Sequence, residues 1–126
     1  MRSLFIVLRA YLELIRFDVY IVRRNFATLH ERVRECPIVS RTPDCDTVEE
    51  ACAAIDIACV WYWKQVLCLQ RSAATTCLLR GFGVPAMMVI GAQQMPFKVH
   101  AWVEVDGSVV NDKGYTSVIY SVIERC

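Results

Sequence analysis

The sequence predicts an α+β domain in which N-terminal helices and a helix carrying a reactive cysteine pack on an antiparallel sheet. Three observations predict it. Helical periodicity fills most of the first eighty residues, a Pro-, Ser-, Thr- and Asp-containing stretch at 36–46 interrupts it, and short β-rich runs take over after Val84. At 126 residues the chain suits one domain spanning 1–126, with a helical front segment at 1–36 and a core at 46–126.

The elements follow in order. Leu4, Val7, Leu8, Tyr11, Leu12 and Ile15 recur at helical spacing, and a second series of Val19, Val22, Phe26, Leu29 and Val33 follows Asp18. Two amphipathic helices, or one long bent helix, therefore open the chain. Asp46, with Glu49 three residues later, reads as an N-cap and its capping-box partner, starting a helix through Ala51, Ala54, Ile55 and Ala58 toward Trp61. After a break near Lys64 and Gln65, a helix at 68–80 runs to the stop signals Gly81 and Gly83, with Cys68 at its start. Strands are expected at 86–91, 99–105 and 108–112, with a further one around 115–120.

Composition narrows the function classes. Lys and Arg total 14 against 13 Asp and Glu, a net charge of +1, so no basic field exists to hold a nucleic-acid backbone. The apolar first fifteen residues are interrupted by Arg2, Arg9 and Glu13 and carry no cleavage-site pattern, so neither a membrane span nor an export signal is expected, and the expected location is cytoplasmic. The 56% apolar content is high for such a protein and leaves apolar surface for a partner. Seven cysteines, an odd number without an export signal, predict reduced thiols. No Cys-x-x-Cys pair occurs and only His30 and His100 are present, so no metal site and no cofactor is expected.

The chemistry centres on Cys68. A thiol in the first turn of a helix feels the positive end of the macrodipole, which favours the reactive thiolate. The other six cysteines read as packing residues, Cys52 and Cys59 on one helix face. A cysteine nucleophile needs an imidazole to take and return a proton, and His100 sits on an alternating strand, on the face opposite Val99, Ala101, Val103 and Val105. Asp112 is the candidate for orienting that imidazole, if the hairpin at Asp106-Gly107 allows it. A two-residue loop pairing 105 with 108 turns Asp112 to the wrong face. A three-residue loop closing 104 onto 108, with Gly107 as a left-handed bulge residue, sets His100 across from Asp112 and is the expected turn. The backbone N–H of Cys68 is a natural oxyanion donor, and Gln65 is the candidate for a second, ahead of Trp61 and Trp63.

These residues resemble a known family. The run 68–73, then Leu78-Leu79-Arg80-Gly81-Phe82-Gly83-Val84-Pro85-Ala86, Ile90-Gly91, Pro96-Phe97, His100-Ala101-Trp102-Val103-Glu104-Val105-Asp106-Gly107 and Asn111-Asp112 is similar to the leader peptidases of lasso-peptide biosynthesis, of the transglutaminase-like, papain-related cysteine-protease superfamily. The resemblance covers roughly residues 60 to 113, and the front helices match less distinctively. It implies a cysteine-type endopeptidase with a Cys68, His100 and Asp112 triad, cutting the leader from a ribosomally made precursor near a threonine at the leader's end. It also implies partners: the leader region of the precursor, a separate leader-binding recognition protein, and an ATP-dependent lasso cyclase, with ATP belonging to that cyclase. With no room for a fused leader-binding domain, the chain resembles the stand-alone form.

Two alternatives use the same residues differently. A transglutaminase-type acyl transferase would deliver the thioester's acyl group to an amine rather than to water. A non-catalytic precursor-binding module would have no need of Cys68.

Overall fold

The computed structural model describes residues 2–40, 42, 46–94, 97–111 and 120–126, without the side chains of 2, 3 and 94, and among the described residues four helices precede four strands. Helix α1, Arg2–Val22, buries Ile6, Ala10, Leu14 and Phe17, one stripe at helical spacing. It continues through Asp18, where the sequence suggests a new start. The reason is tertiary: the Asp18 side chain is buried, accepts a 2.8 Å hydrogen bond from the Tyr62 hydroxyl and pairs with Lys64 Nζ at 2.6 Å. The break falls instead at 23–25, where Arg24 adopts φ 53° and Asn25 Oδ1 accepts from the Thr28 N–H and hydroxyl at 3.4 and 2.9 Å, starting α2, Phe26–Glu35.

Helix α3, Thr47–Trp61, buries Ala51, Ala54, Ile55 and Ala58. Asp46 stands at its N-cap as expected, but the capping hydrogen bond is absent. With φ −93° and ψ −3° its backbone is already helical, and an N-cap side chain reaches the N3 amide from the extended region. Helix α4, Cys68–Gly81, is buried at every position from Ser72 to Arg80. Its polar residues are satisfied internally: the hydroxyls of Thr75 and Thr76 donate to the carbonyls of Arg71 and Ser72 at 2.8 and 2.9 Å. Gly83, at φ 88°, then turns the chain into the sheet.

The sheet is antiparallel in the order β3-β2-β1-β4, with β1 Ala86–Gln94, β2 Phe97–Val105, β3 Ser108–Val109 and β4 Ser121–Arg125. In the β1/β2 ladder Met88 faces Val103 and Ile90 faces Ala101, and this side packs on the helices, with Met88 and Val103 in the main core cluster. Val89, Gly91, His100 and Trp102 share the other side. The strand expected around 115–120 falls, up to residue 119, outside the described residues, and β4 begins at Ser121.

The turn between β2 and β3 corrects the expected bulge. Val105 pairs with Ser108 and Glu104 with Val109, so the loop is the two residues Asp106 and Gly107, both at positive φ of 51° and 80°. Two consecutive left-handed residues match the right-handed twist of the flanking strands, and Asp-Gly is a sequence that tolerates them. The ladder then ends early: Val110 N–H donates to Val103 O at 3.0 Å, and Asn111 turns its side chain inward, Oδ1 accepting from the Val103 N–H at 2.8 Å. No continuous strand carries the register to 112, and Asp112 lies outside the described residues.

Arg80 joins these parts. Its side chain is buried and donates through Nε to Ala86 O at 2.9 Å, through Nη1 to Val33 O and to Cys36 O at 3.3 Å, and through Nη2 to Cys126 O at 2.9 Å. One guanidinium thus serves the end of α2, the start of β1 and the residue after β4. Beside it, Cys36 and Cys77 form a disulfide, with Cα atoms 5.8 Å apart. The expectation of reduced thiols fails for this pair, because α2 ends directly against the middle of α4. A second fastening links α2 to β4: His30 Nδ1 lies 3.0 Å from Glu124 Oε2, and Arg34 pairs with Glu124 Oε1. Burial and the Arg34 charge lower the His30 pKa below its ordinary 6.5, so near neutrality the uncharged ring donates Nδ1–H to the carboxylate.

Two outcomes follow from these contacts. Arg80→Met removes a donor from each of the carbonyls of Val33, Cys36, Ala86 and Cys126 and is expected to lower unfolding free energy by about 3 kcal/mol in urea titration, with Arg80→Lys also destabilised because one ammonium cannot replace the fork. For His30 the folded pKa lies below the unfolded value, so the unfolded chain binds more protons on acidification. The stabilising contribution is complete above about pH 6.5 and is lost as the pH falls toward the folded pKa. Urea midpoints from pH 7.5 to 5 should fall more steeply for the wild type than for His30→Asn.

Candidate functional site

Cys68 is the first residue of α4, and what precedes it leaves the helix start open. The N-cap is Leu67, with φ −77° and ψ 155°, and no side chain caps the first turn. The backbone N–H groups of that turn have no intrahelical acceptors. By contrast, α2 begins with a side-chain cap from Asn25. Contacts behind the first turn hold its position. Gln70 Nε2 donates to Leu14 O of α1 at 2.8 Å, Arg71 pairs with Asp56 of α3, and Tyr62 ties the α3–α4 linker to Asp18.

Among the described residues Cys68 is the exposed free cysteine. Burial pushes the Cys52 thiol up to about 11 and raises those of Cys59 and Cys126. These three are correspondingly poor nucleophiles. Cys45 lies outside the described residues.

His100 is on β2, opposite Gly91 of β1. Its ring packs against Trp102 and Tyr120, with centroids 6.1 and 5.5 Å away. Gly91 makes room for this stack: a Cβ there would sit 2.5 Å from the Trp102 ring and 2.9 Å from Tyr120 Cβ. The indole is fixed in turn, since Trp102 Nε1–H donates to Glu104 Oε2 at 2.9 Å, and Arg125 Nε lies 3.7 Å from Glu104 Oε1. The imidazole is therefore backed by a row of side chains running along one side of the sheet. Strand alternation could have found Trp102 and Glu104, which share a face with His100. Nothing local in the sequence marks Tyr120 or Gly91 for this role.

Two adjoining cavities meet at Cys68, His100 and Ala101, which line both. The larger, about 430 Å³, is walled mainly by apolar side chains from α2, the start of α4, β1 and β2. The smaller, about 150 Å³, carries Arg71, Ser72 and Asn111 in its wall. Asn111 is held there by the Val103 N–H and by its own Nδ2, which donates to Ser72 Oγ at 3.4 Å. So Cys68 and His100 line the same two cavities, and Asn111, which entered the sequence reading only as part of the motif and not as a site residue, shares the wall of the smaller one. Gln65 is exposed and lines neither cavity, and Trp61 and Trp63 are exposed at 77% and 64%.

Among the described residues, His30, Glu124 and Cys126 have donor atoms within 4.8 Å of one another, close enough to share a metal ion. Arg34 already pairs with Glu124 and hydrogen-bonds to Cys126, supplying the positive charge that a cation would bring. The group is best described as an ion-paired cluster. Chemically, the arrangement at Cys68 offers a thiol at an open helix start, backbone donors beside it, and an imidazole-containing strand across a shared cavity.

Comparison with known proteins agrees with the fold. A stretch of 45 residues, 36% of this chain, is 44% identical to the microcin J25-processing protein McjB of Escherichia coli. The matched stretch spans 22% of that protein's length. No solved structure matches. The model of the transglutaminase-like superfamily matches residues 11–125, nearly the whole chain, and the protein belongs to that superfamily.

Proposed function

We propose that the protein is a cysteine peptidase that removes the leader from a lasso-peptide precursor in the cytoplasm. The observation that carries this reading is the meeting of Cys68, at an uncapped helix start, and His100 on the walls of the same two cavities. The relative's name adds to it, since that protein is a microcin J25-processing protein.

His100 takes the thiol proton as the Cys68 sulfur attacks the carbonyl carbon of the scissile bond. The oxyanion is stabilised by the open backbone N–H groups at the start of α4. The proton passes to the leaving amine, which departs with the core peptide and leaves the leader as a thioester on Cys68. Water, deprotonated by His100, then attacks the thioester, releasing the leader carboxylate and restoring the thiol. In this reading Asp112 orients the imidazole by accepting from one ring nitrogen, an assignment that rests on the family resemblance and not on the β2/β3 register, which ends at Val109. A separate leader-binding protein delivers the precursor, and an ATP-dependent cyclase uses the freed amine.

The test combines the purified chain with a candidate precursor, with and without the leader-binding partner, and follows masses over time. Hydrolysis yields two peptides summing to the precursor plus one water. Cys68→Ala and His100→Ala are expected to abolish cleavage, and Asp112→Ala to reduce it by a smaller factor. Limiting iodoacetamide at neutral pH should alkylate Cys68 ahead of Cys52, Cys59 and Cys126, as peptide mapping reads directly. A cross-linked product with loss of ammonia would replace this reading with acyl transfer to an amine. Unimpaired function of Cys68→Ala would leave only a binding role.

A further inference from the structure

The two cavities at Cys68 differ in character. The smaller has Arg71, Ser72 and Asn111 in its wall, while the larger is bounded by Phe26 from α2, Leu67 and Leu69 from the start of α4, Ile90 from β1 and Val99 from β2. Three of these large apolar side chains stand well out in solvent, Phe26 at 46%, Leu67 at 51% and Val99 at 53% exposure. They come from three separate elements to line the cavity that Cys68 also lines. Apolar groups gathered this way around a reactive atom, with a volume of about 430 Å³ between them, have the size and lining of a ligand site.

We propose that the larger cavity is the side-chain subsite for a bulky apolar residue, aromatic or branched aliphatic, on the acyl side of the bond that Cys68 attacks. This rests on the peptidase reading above. The acyl half is assigned here because it stays covalently bound to Cys68 after the amine half has left, so burying its side chain holds the thioester in place for water. Burying a large side chain of the leaving half would instead delay its release. The smaller, polar cavity of about 150 Å³ is left for that departing half. His30 completes the far wall with one ring nitrogen committed to Glu124, and apart from Cys68 and His100 the other described lining residues carry apolar side chains, so they offer no charge to recruit an acidic or basic side chain.

The test uses acetyl-Phe, acetyl-Leu and acetyl-Gly chloromethyl ketones, each of which alkylates Cys68 with loss of chloride and the thiol proton. Second-order rates are read by intact mass and peptide mapping, and divided by the rate with iodoacetamide, which has no side chain to place. The Phe and Leu reagents should react at least about tenfold faster than the Gly reagent on this normalised scale, the discrimination an apolar pocket gives for a side chain of this size. Val99→Asp and Leu67→Asp put a charge on the rim at exposed positions, and each should erode that preference at least about fivefold, with melting curves confirming that the variants are folded. Equal normalised rates for all three reagents, or a preference surviving both substitutions, overturns the subsite while leaving the peptidase reading intact. A Cys68 that fails to react with iodoacetamide at all overturns the peptidase reading and the subsite with it.

Discussion

The buried guanidinium of Arg80 is the constraint on which the arrangement of this protein depends. A charged group inside a protein is tolerated where its donors are used, and here Nε and both terminal nitrogens are spent on four carbonyls from three regions of the chain. Those carbonyls belong to the end of α2, the first residue of β1 and the residue following β4. Two of them, Val33 O and Cys126 O, also accept backbone N–H groups from Cys36 and Met88, and the guanidinium ties these ends to Cys36 and Ala86 in one network. The cation also lies in the last turn of α4, where the helix's carbonyl end favours positive charge.

Cys68 lies at the other end of the same helix, twelve residues away, or about 18 Å at the usual rise. Fixing the far end of α4 to the first residue of β1 fixes its near end relative to the β1/β2 ladder, and hence to His100. The contacts of Gln70 with α1 and of Arg71 with α3 then limit how the first turn can swing. Against this rigidity, the helix start itself is left uncapped, with an apolar residue where Ser, Thr, Asp or Asn would stabilise it by about 1 kcal/mol. A local stability rule is broken at the point where exposed backbone donors have chemical use, and the remainder of the helix compensates by burial.

How much of this was legible in the sequence divides along a physical line. Periodicity and helix-stop chemistry located α4 and both long strands, because those signals lie within a few residues of the structure they specify. Where the first helix ends stayed open for the opposite reason: the partners of Asp18, Tyr62 and Lys64, are more than forty residues away, and no local pattern marks it as a buried acceptor within a continuous helix. The Cys36–Cys77 pairing has the same origin, a contact made by helix packing rather than by spacing. Cys68 and His100 stood out as candidates because of the motif around them, since seven cysteines make residue type alone a weak signal. Gly91 and Asn111 appeared only as members of that motif and Tyr120 was not part of it, since the contribution of each depends on where a neighbouring strand or turn delivers it.

The hairpin shows how one turn controls the site. A bulged loop would have carried β3 along β2 until Asp112 stood opposite His100, covering the strand edge as it went. The tight Asp106-Gly107 turn instead ends β3 after two residues, and Asn111 bends inward to take the Val103 N–H. Among the described residues, β3 therefore pairs with β2 only at Glu104 and Val105, and the edge from Val99 to Ala101 borders the two cavities instead of another strand. This accounts for a difficulty that alternation alone would pose. His100 shares a sheet side with Trp102, while α4 packs on the side of Ala101 and Val103, yet both Cys68 and His100 reach common walls. They do so beside a short β3, where the two sides of the sheet are no longer separated by a third strand.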